Sequence, residues 1–172
     1  MVAINATVGA TDTNSYCTEA EADAYHETRL FVAVWTAANA ATKVAALLWA
    51  ARLLDERMEW DADSWVTDYG QSMQWPREGM YDRNGNVIPN DEIPQALKDA
   101  QAELARNLIA SERTGDVTEG IAGLKVGSID VQFSDSVRQS RKVIPDAVAD
   151  MLSLWGKPIS SRPSCIVSIE RA

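Results

Sequence analysis

The sequence is poor in residues that carry chemistry. It holds one histidine and two cysteines in 172 residues. His26 has no serine or cysteine context, and a general base needs an oriented partner and a cleft. It reads as a surface or half-buried residue. Cys17 and Cys165 lie at opposite ends, with no Cys-x-x-Cys pattern and no histidine nearby, which argues against zinc. Two isolated buried thiols in a reducing compartment are the preferred reading, and a disulfide stays open. No apolar run reaches the ~18 residues a membrane span needs. Residues 1–7 lack a basic start and a long apolar stretch, so a secretory signal is not expected. Gly120, Gly123 and Gly127 are too irregularly spaced for a phosphate-binding loop. There is no internal repeat and no low-complexity tract. No cofactor or metal is expected, and catalysis is the least supported class.

Positive charge is also scarce. The net charge is −9, and it is unevenly spread. Residues 1–134 carry 10 Lys+Arg against 21 Asp+Glu, whereas residues 135–172 carry 6 against 4. An acidic body repels phosphate backbones, which argues against broad nucleic-acid binding. The densest acidic run is Asp55, Glu56, Glu59, Asp61 and Asp63. Asp61-x-Asp63 lacks the glycine and terminal glutamate of a calcium loop, so the run reads as a solvated face. Asp82-x-Asn84-Gly85 reads as a turn.

What the sequence does have is helical periodicity. With 46% hydrophobic residues, a 172-residue chain can build one core. Residues 1–17 are small and polar and predict an extended segment that orders on assembly. Thr18 and Glu21 have capping-box spacing and predict a helix over 18–30. Phe31, Val32, Val34 and Trp35 carry the apolar run into a short connection. Val44, Leu47, Leu48, Ala51, Leu54 and Met58 recur at three- and four-residue steps, which predicts a helix over 39–58. A third helix, 94–112, buries Leu97, Ala100, Leu104 and Leu108, with Pro94 in its first turn.

Between the second and third helices, residues 60–93 form a long connection rich in aromatics, which favours packing by its own side chains. Trp75-Pro76-Arg77, together with Ile93 and Pro94, forms a structural joint, because a residue before proline leaves the helical region. Asn84-Gly85 predicts a tight turn in a small hairpin over 81–88. The six tryptophans could stack on bases, but such a platform needs interleaved cations. Trp35 and Trp49 lie among alanines, and Trp60 and Trp65 among aspartates, so core packing is preferred.

Beyond residue 120 the pattern changes. Leu124, Lys125, Val126, Ile129 and Val131 predict a projecting β-hairpin turning at Gly127-Ser128. Pro145 opens a short helix over 146–155, stopped by Gly156 and Pro158. Cys165-Ile166-Val167-Ser168-Ile169 is strand-like with no local partner. It either folds back or pairs with another chain. The basic residues Arg138, Arg141, Lys142, Lys157, Arg162 and Arg171 favour the intermolecular choice. The fold class is therefore mainly α: a small helical bundle with a projecting hairpin and an extended C-terminal arm. Its segments are 1–17, a body over 18–120, the hairpin over 121–134, and a helix and arm over 135–172.

One resemblance adds to this reading. Glu21-Ala22-Asp23-Ala24-Tyr25, Trp35, Ala45-Ala46-Leu47, Leu54-Asp55, Trp60, Trp75-Pro76-Arg77, Gly85 and Ile93-Pro94 resemble, in order and spacing, the tailed-bacteriophage head–tail adaptor (head-completion) family. That family is often labelled DnaT-like single-strand DNA-binding. The resemblance covers 15–112. It implies a homo-oligomeric ring of twelve copies at the virion neck, made in the bacterial host cytoplasm. Its partners would be the portal protein and a downstream tail or nozzle protein, with packaged duplex DNA sliding through unbound and no membrane involved. Under this reading Ile144, Pro145, Leu152, Trp155, Lys157, Arg162, Ile166, Val167, Ile169 and Arg171 contact the portal or a neighbouring copy. Leu124, Lys125, Val126, Ile129 and Val131 face the tail. Asp61 departs from the pattern, since glycine is common after that tryptophan. The alternative, from a different class, is a single-stranded DNA-binding protein with salt-sensitive affinity.

Overall fold

The computed structural model describes residues 2–114, 123–126, 129–132 and 142–159, with backbone alone for the two strands between 123 and 132. Helix α1 (Glu19–Glu27) starts where the capping box places it. Thr18 Oγ1 accepts from the Glu21 amide at 3.2 Å, and the Glu21 carboxylate accepts from the Thr18 amide at 2.7 Å. It ends at Glu27, three residues short of the expected end. A five-residue helix α2 (Ala33–Ala37) occupies what the sequence presented as a connection.

Helix α3 (Ala40–Arg57) is capped by Asn39, whose side-chain oxygen accepts from the Thr42 amide at 2.9 Å. Its buried residues are Ala46, Leu47, Ala50, Ala51, Leu53 and Leu54. Helix α4 (Gln95–Ala110) follows Pro94, which is the N-cap residue and not the first helical one, and the Leu97 amide donates to its carbonyl at 2.9 Å. Helices α1, α2, α3 and α5 (Asp146–Leu152) all pack on α4. Four alanines of α4, at 96, 100, 102 and 105, are buried or half-buried and allow that close approach. The chain is thus mainly α, a small helical bundle with short two-stranded sheets.

One buried amide ties three parts together. Gln101 has no solvent exposure. Its oxygen accepts from the Tyr16 and Cys17 amides at 2.9 and 3.1 Å. Its nitrogen donates to Ser15 Oγ at 2.7 Å and to the Leu47 carbonyl at 3.0 Å. All four of its hydrogen-bonding positions are filled, which removes the cost of burying it. The N-terminal segment is therefore anchored on the body. Asn5 and Asn14 also clasp it, the Asn5 amide donating to Asn14 Oδ1 at 2.8 Å and the Asn14 amide to the Asn5 carbonyl at 3.0 Å.

The connection over 60–93 is packed only in part by its own rings, since Trp60 and Trp75 are buried whereas Trp65, Tyr69 and Tyr81 are exposed. Trp60 and Trp75 meet edge to face at 5.5 Å, and Trp155 meets Trp75 at 5.7 Å. Strand β1 (Met58–Trp60) precedes it, and β2 (Trp65–Val66) pairs antiparallel with β3 (Arg77–Glu78) inside it. The turn at 81–88 forms as expected: Tyr81 bridges Val87, and Asp82 Oδ1 accepts from the Asn84 and Asn86 amides, both at 2.8 Å. Gly85 sits at φ +82°, where a side chain would be strained.

The joint residues hold as a unit. Trp75 and Arg77 are buried, and the Trp75–Pro76 peptide is cis. Arg77 donates from Nε to Ser64 Oγ at 2.8 Å and from Nη2 to the Ser64 carbonyl at 2.7 Å. Ile93 is half-buried against the core. Asp61, the departure from the adaptor pattern, makes its own turn: its carboxylate accepts from the Asp63 amide at 3.0 Å, and its amide donates to the Trp155 carbonyl at 2.9 Å.

The expected hairpin forms from β4 (Gly123–Val126) and β5 (Ile129–Gln132), with Leu124 opposite Val131 and Val126 opposite Ile129. The chain around α5 differs from the expected arm. Helix α5 stops at Leu152, and β6 (Gly156–Pro158) returns to pair antiparallel with β1, Glu59 opposite Lys157. Gly156 fits there because a Cβ would lie 2.7 Å from the Glu59 carbonyl.

Candidate functional site

Ile144, Leu152 and Trp155 are buried in the core, so none is free to meet a partner. Pro145 caps α5. Lys157 is exposed and pairs with Glu59 at 3.3 Å. Leu124, Lys125, Val126, Ile129 and Val131 lie in the β4–β5 register, with backbone alone described. Arg162, Ile166, Val167, Ile169, Arg171 and Cys165 lie outside the described residues.

His26 is not at the surface. It is 2% exposed, its Nε2 lies 3.2 Å from the Ala102 carbonyl, and its ring packs on Trp35 at 4.6 Å. Burial lowers its pKa. Cys17 is buried, as expected, and burial pushes its thiol up to about 12, which leaves it unreactive. Among the described residues, no group of three or more His, Cys, Asp or Glu is placed to hold a metal. No described helix is long and apolar enough to cross a membrane.

The acidic run splits. Asp55 is turned inward, where the Tyr16 hydroxyl donates to it and the Gln74 amide donates to its second oxygen at 3.2 Å. Burial raises its pKa to about 6 despite those donors. Glu56, Glu59, Asp61 and Asp63 are exposed, as a solvated face should be.

Four of the six tryptophans, Trp35, Trp60, Trp75 and Trp155, are core residues, as composition favoured. Trp49 and Trp65 are not; they are 38% and 57% exposed. Trp49 lies on the outer side of α3 with the Arg52 guanidinium 5.4 Å from its ring centre. That is a cation–aromatic pair open to solvent. Tyr69 is fully exposed, and Tyr81 is 55% exposed.

Exposed apolar groups and cationic groups lie together at the α1–α2 junction. Leu30 is 80% exposed and Phe31 89%. Phe31 has φ +60°, a left-handed conformation unusual for an aromatic residue. Its carbonyl accepts from Arg106 Nη1 at 3.4 Å. Arg106 also donates to Glu103, whose other oxygen pairs with Arg29 Nη2 at 3.3 Å. Arg29 lies 5.4 Å over the Tyr25 ring. Glu103 is 3% exposed. Burial opposes its charge, but the two guanidiniums outweigh that and hold its carboxyl below the usual range. Two arginines and a buried carboxylate thus brace the turn bearing Phe31. Nothing in the sequence distinguished Phe31 from the apolar residues beside it.

Two open hollows lie on the described surface. One, of about 460 Å³, is lined by Val2, Ile4, Thr18 and Val44 among others. The other, of about 280 Å³, lies beside the β1–β6 pair.

No curated protein and no solved structure matches the chain. A family match does exist, and it corrects the adaptor reading. It names single-stranded DNA binding and nothing about a head–tail junction. The twelve-copy ring, the portal and tail partners and the passively sliding duplex all rested on that reading, and they fall with it. The match runs over residues 2–172, which is nearly the whole length, so the chain belongs to the family described as "Putative DnaT-like ssDNA binding protein".

Proposed function

We propose that this protein binds single-stranded DNA and acts by binding, without chemistry of its own. The observation that carries the proposal is the family match over residues 2–172. The exposed rings fit the chemistry. Unpaired bases present flat π-faces, and aromatic side chains take them with little regard to sequence. Trp49 pairs its ring with the Arg52 guanidinium, and the exposed Phe31 sits on a turn whose carbonyl accepts from Arg106.

The net charge of −9 fixes the character of the binding. An acidic body gains little from long-range attraction to phosphates. Stacking then supplies most of the free energy, and few counterions are released. With three arginines in contact, at about 0.7 per phosphate on single strands, log affinity falls with log salt at a slope of about −2.

The test is fluorescence anisotropy of a labelled thymine oligonucleotide, titrated with protein at two salt concentrations and repeated with a duplex. Tighter binding to the single strand with a shallow salt slope is the expected result. Equal affinity for the duplex, or no binding at low salt, overturns the proposal.

A further inference from the structure

We infer that the Leu30-Phe31 turn is a base-stacking site. In this site the Phe31 ring takes the face of an unpaired base, and Arg29 and Arg106 at its root hold the adjoining phosphates. The inference rests on the single-strand reading and assigns a place to it.

Four observations converge on this turn. First, the ring is presented to solvent. Phe31 is 89% exposed, and among the described residues no ring or cation lies against it. Second, the backbone conformation is costly. A left-handed φ on a bulky residue persists only where the surroundings over-determine it, and such outliers concentrate at binding sites. Glycine would satisfy φ +60° without strain, so the phenylalanine is there at a cost to stability.

Third, the turn is held from beneath. Arg106 reaches the Phe31 carbonyl from α4 and is itself anchored on the buried Glu103. A ring on a braced turn loses little freedom when a base stacks on it, and that keeps the entropic cost of binding low. Fourth, the charge suits a phosphate. Arg29 and Arg106 carry two positive charges against the single charge of Glu103, which leaves one in excess. The contacts described for Arg106 occupy two of its five N–H donors. Glu27 is the opposing group, exposed at the end of α1.

A second copy of the chain is the other occupant an exposed Leu-Phe pair could take. The acidic body repels a second copy and a nucleic acid alike, so the local charge decides, and a guanidinium that Glu103 does not neutralise complements a phosphate.

The test uses the full chain and four measurements: anisotropy with a labelled thymine oligonucleotide, the same with an abasic oligonucleotide, sedimentation, and a urea midpoint. The variants are Phe31→Gly and Phe31→Trp. Phe31→Gly should weaken binding to the thymine strand about tenfold, within the range seen when a stacking ring is removed. It should leave binding to the abasic strand unchanged. Its urea midpoint should stay at or above that of the parent, so the loss is not unfolding. Phe31→Trp should keep the affinity, and the added indole fluorescence should be quenched by the oligonucleotide.

Parent-like binding by Phe31→Gly, while the parent itself binds the thymine strand, overturns the stacking site and leaves the single-strand reading standing. Equal losses on thymine and abasic strands overturn stacking as the mode. Failure of the parent to bind either strand overturns both readings. Self-association of the parent that Phe31→Gly abolishes, with binding to the oligonucleotide intact, assigns the turn to a second copy instead.

Discussion

Two aromatic clusters in this molecule are built in opposite senses. Around Trp75 the rings of Trp60, Trp75 and Trp155 face one another and exclude water. The charged group nearby, Asp55, is drawn inward by Tyr16, and its charge is disfavoured. Around the α1–α2 junction the arrangement inverts. Glu103 is buried and held in its charged state, the arginines lie at the margin, and the Phe31 ring points to water. Aromatic count does not separate the two, and neither does local charge. What separates them is which group carries the burial: rings in the first cluster, a carboxylate in the second. Where rings are buried, removing one costs stability. Where the carboxylate is buried, the ring is free to act on something else.

The largest expected effect breaks the first cluster. Trp75 is 1% exposed, against two other indoles and inside the joint that orders residues 60–93. Trp75→Ala should cost about 3–5 kcal/mol, the usual cost of a large ring removed from a core. Chemical denaturation of the variant measures it. A loss below about 1 kcal/mol would mean that the indoles collapse around the gap and that the joint is not a packing centre.

The second effect is smaller and concerns pH. Asp55 has a folded pKa of about 6, above the unfolded value of about 3.9. A raised pKa means the native state holds the proton more tightly. The stabilisation from this group is fully present below about pH 4 and is lost as pH rises through about 6. Asp55 is half-buried, so of the roughly 2–3 kcal/mol that the shift implies, about 1 kcal/mol is expected after screening. His26 acts with the opposite sign. Burial lowers its pKa, so its contribution is present above about pH 6.5 and is lost as pH falls. Urea midpoints between pH 5 and 7.5 for the parent and for Asp55→Asn separate the two. The acid-side gain should disappear in Asp55→Asn, leaving only the decline from His26. An unchanged profile would mean that Asp55 ionises normally.

The sequence carried some of this and not the rest, for physical reasons. Helices α1, α3 and α4 were legible because their information is local: a capping box at Thr18 and Glu21, and stripes such as Leu47, Ala51 and Leu54 or Leu97, Ala100 and Leu104. The turn at Asn84-Gly85 was legible for the same reason. The β1–β6 pair was not, because it joins three-residue strands about a hundred positions apart and neither carries a pattern. Nothing marked Gln101 as the amide that ties Tyr16, Cys17 and Leu47 together, since a polar residue beside an apolar stripe reads as helix margin. Asp55 was hidden in an acidic run, where only a distant tyrosine decides which carboxylate turns inward. The Phe31 site was hidden in an apolar run, because exposure is a property of the fold and the left-handed turn has no glycine to announce it.

The smallest expected effect sharpens the second cluster. Glu27 ends α1, where the helix dipole already disfavours a negative charge, and it stands near the proposed phosphate contacts of Arg29. Two unit charges about 8 Å apart in water interact by about 0.5 kcal/mol. Removing Glu27 should therefore tighten binding to a single strand about twofold at low salt. At about 1 M salt the Debye length falls to about 3 Å and the gain should vanish. Anisotropy titrations of Glu27→Gln beside the parent, at both salts, measure it. The same change should leave the effect of Phe31→Gly intact, because charge at the root and stacking at the tip act on different parts of the nucleotide. If Glu27→Gln tightens binding equally in high salt, the carboxylate acts through the shape of the turn. If it has no effect at low salt, the phosphates do not pass the root of this turn. In that case the exposed pair on α3, Trp49 and Arg52, becomes the place to look for them.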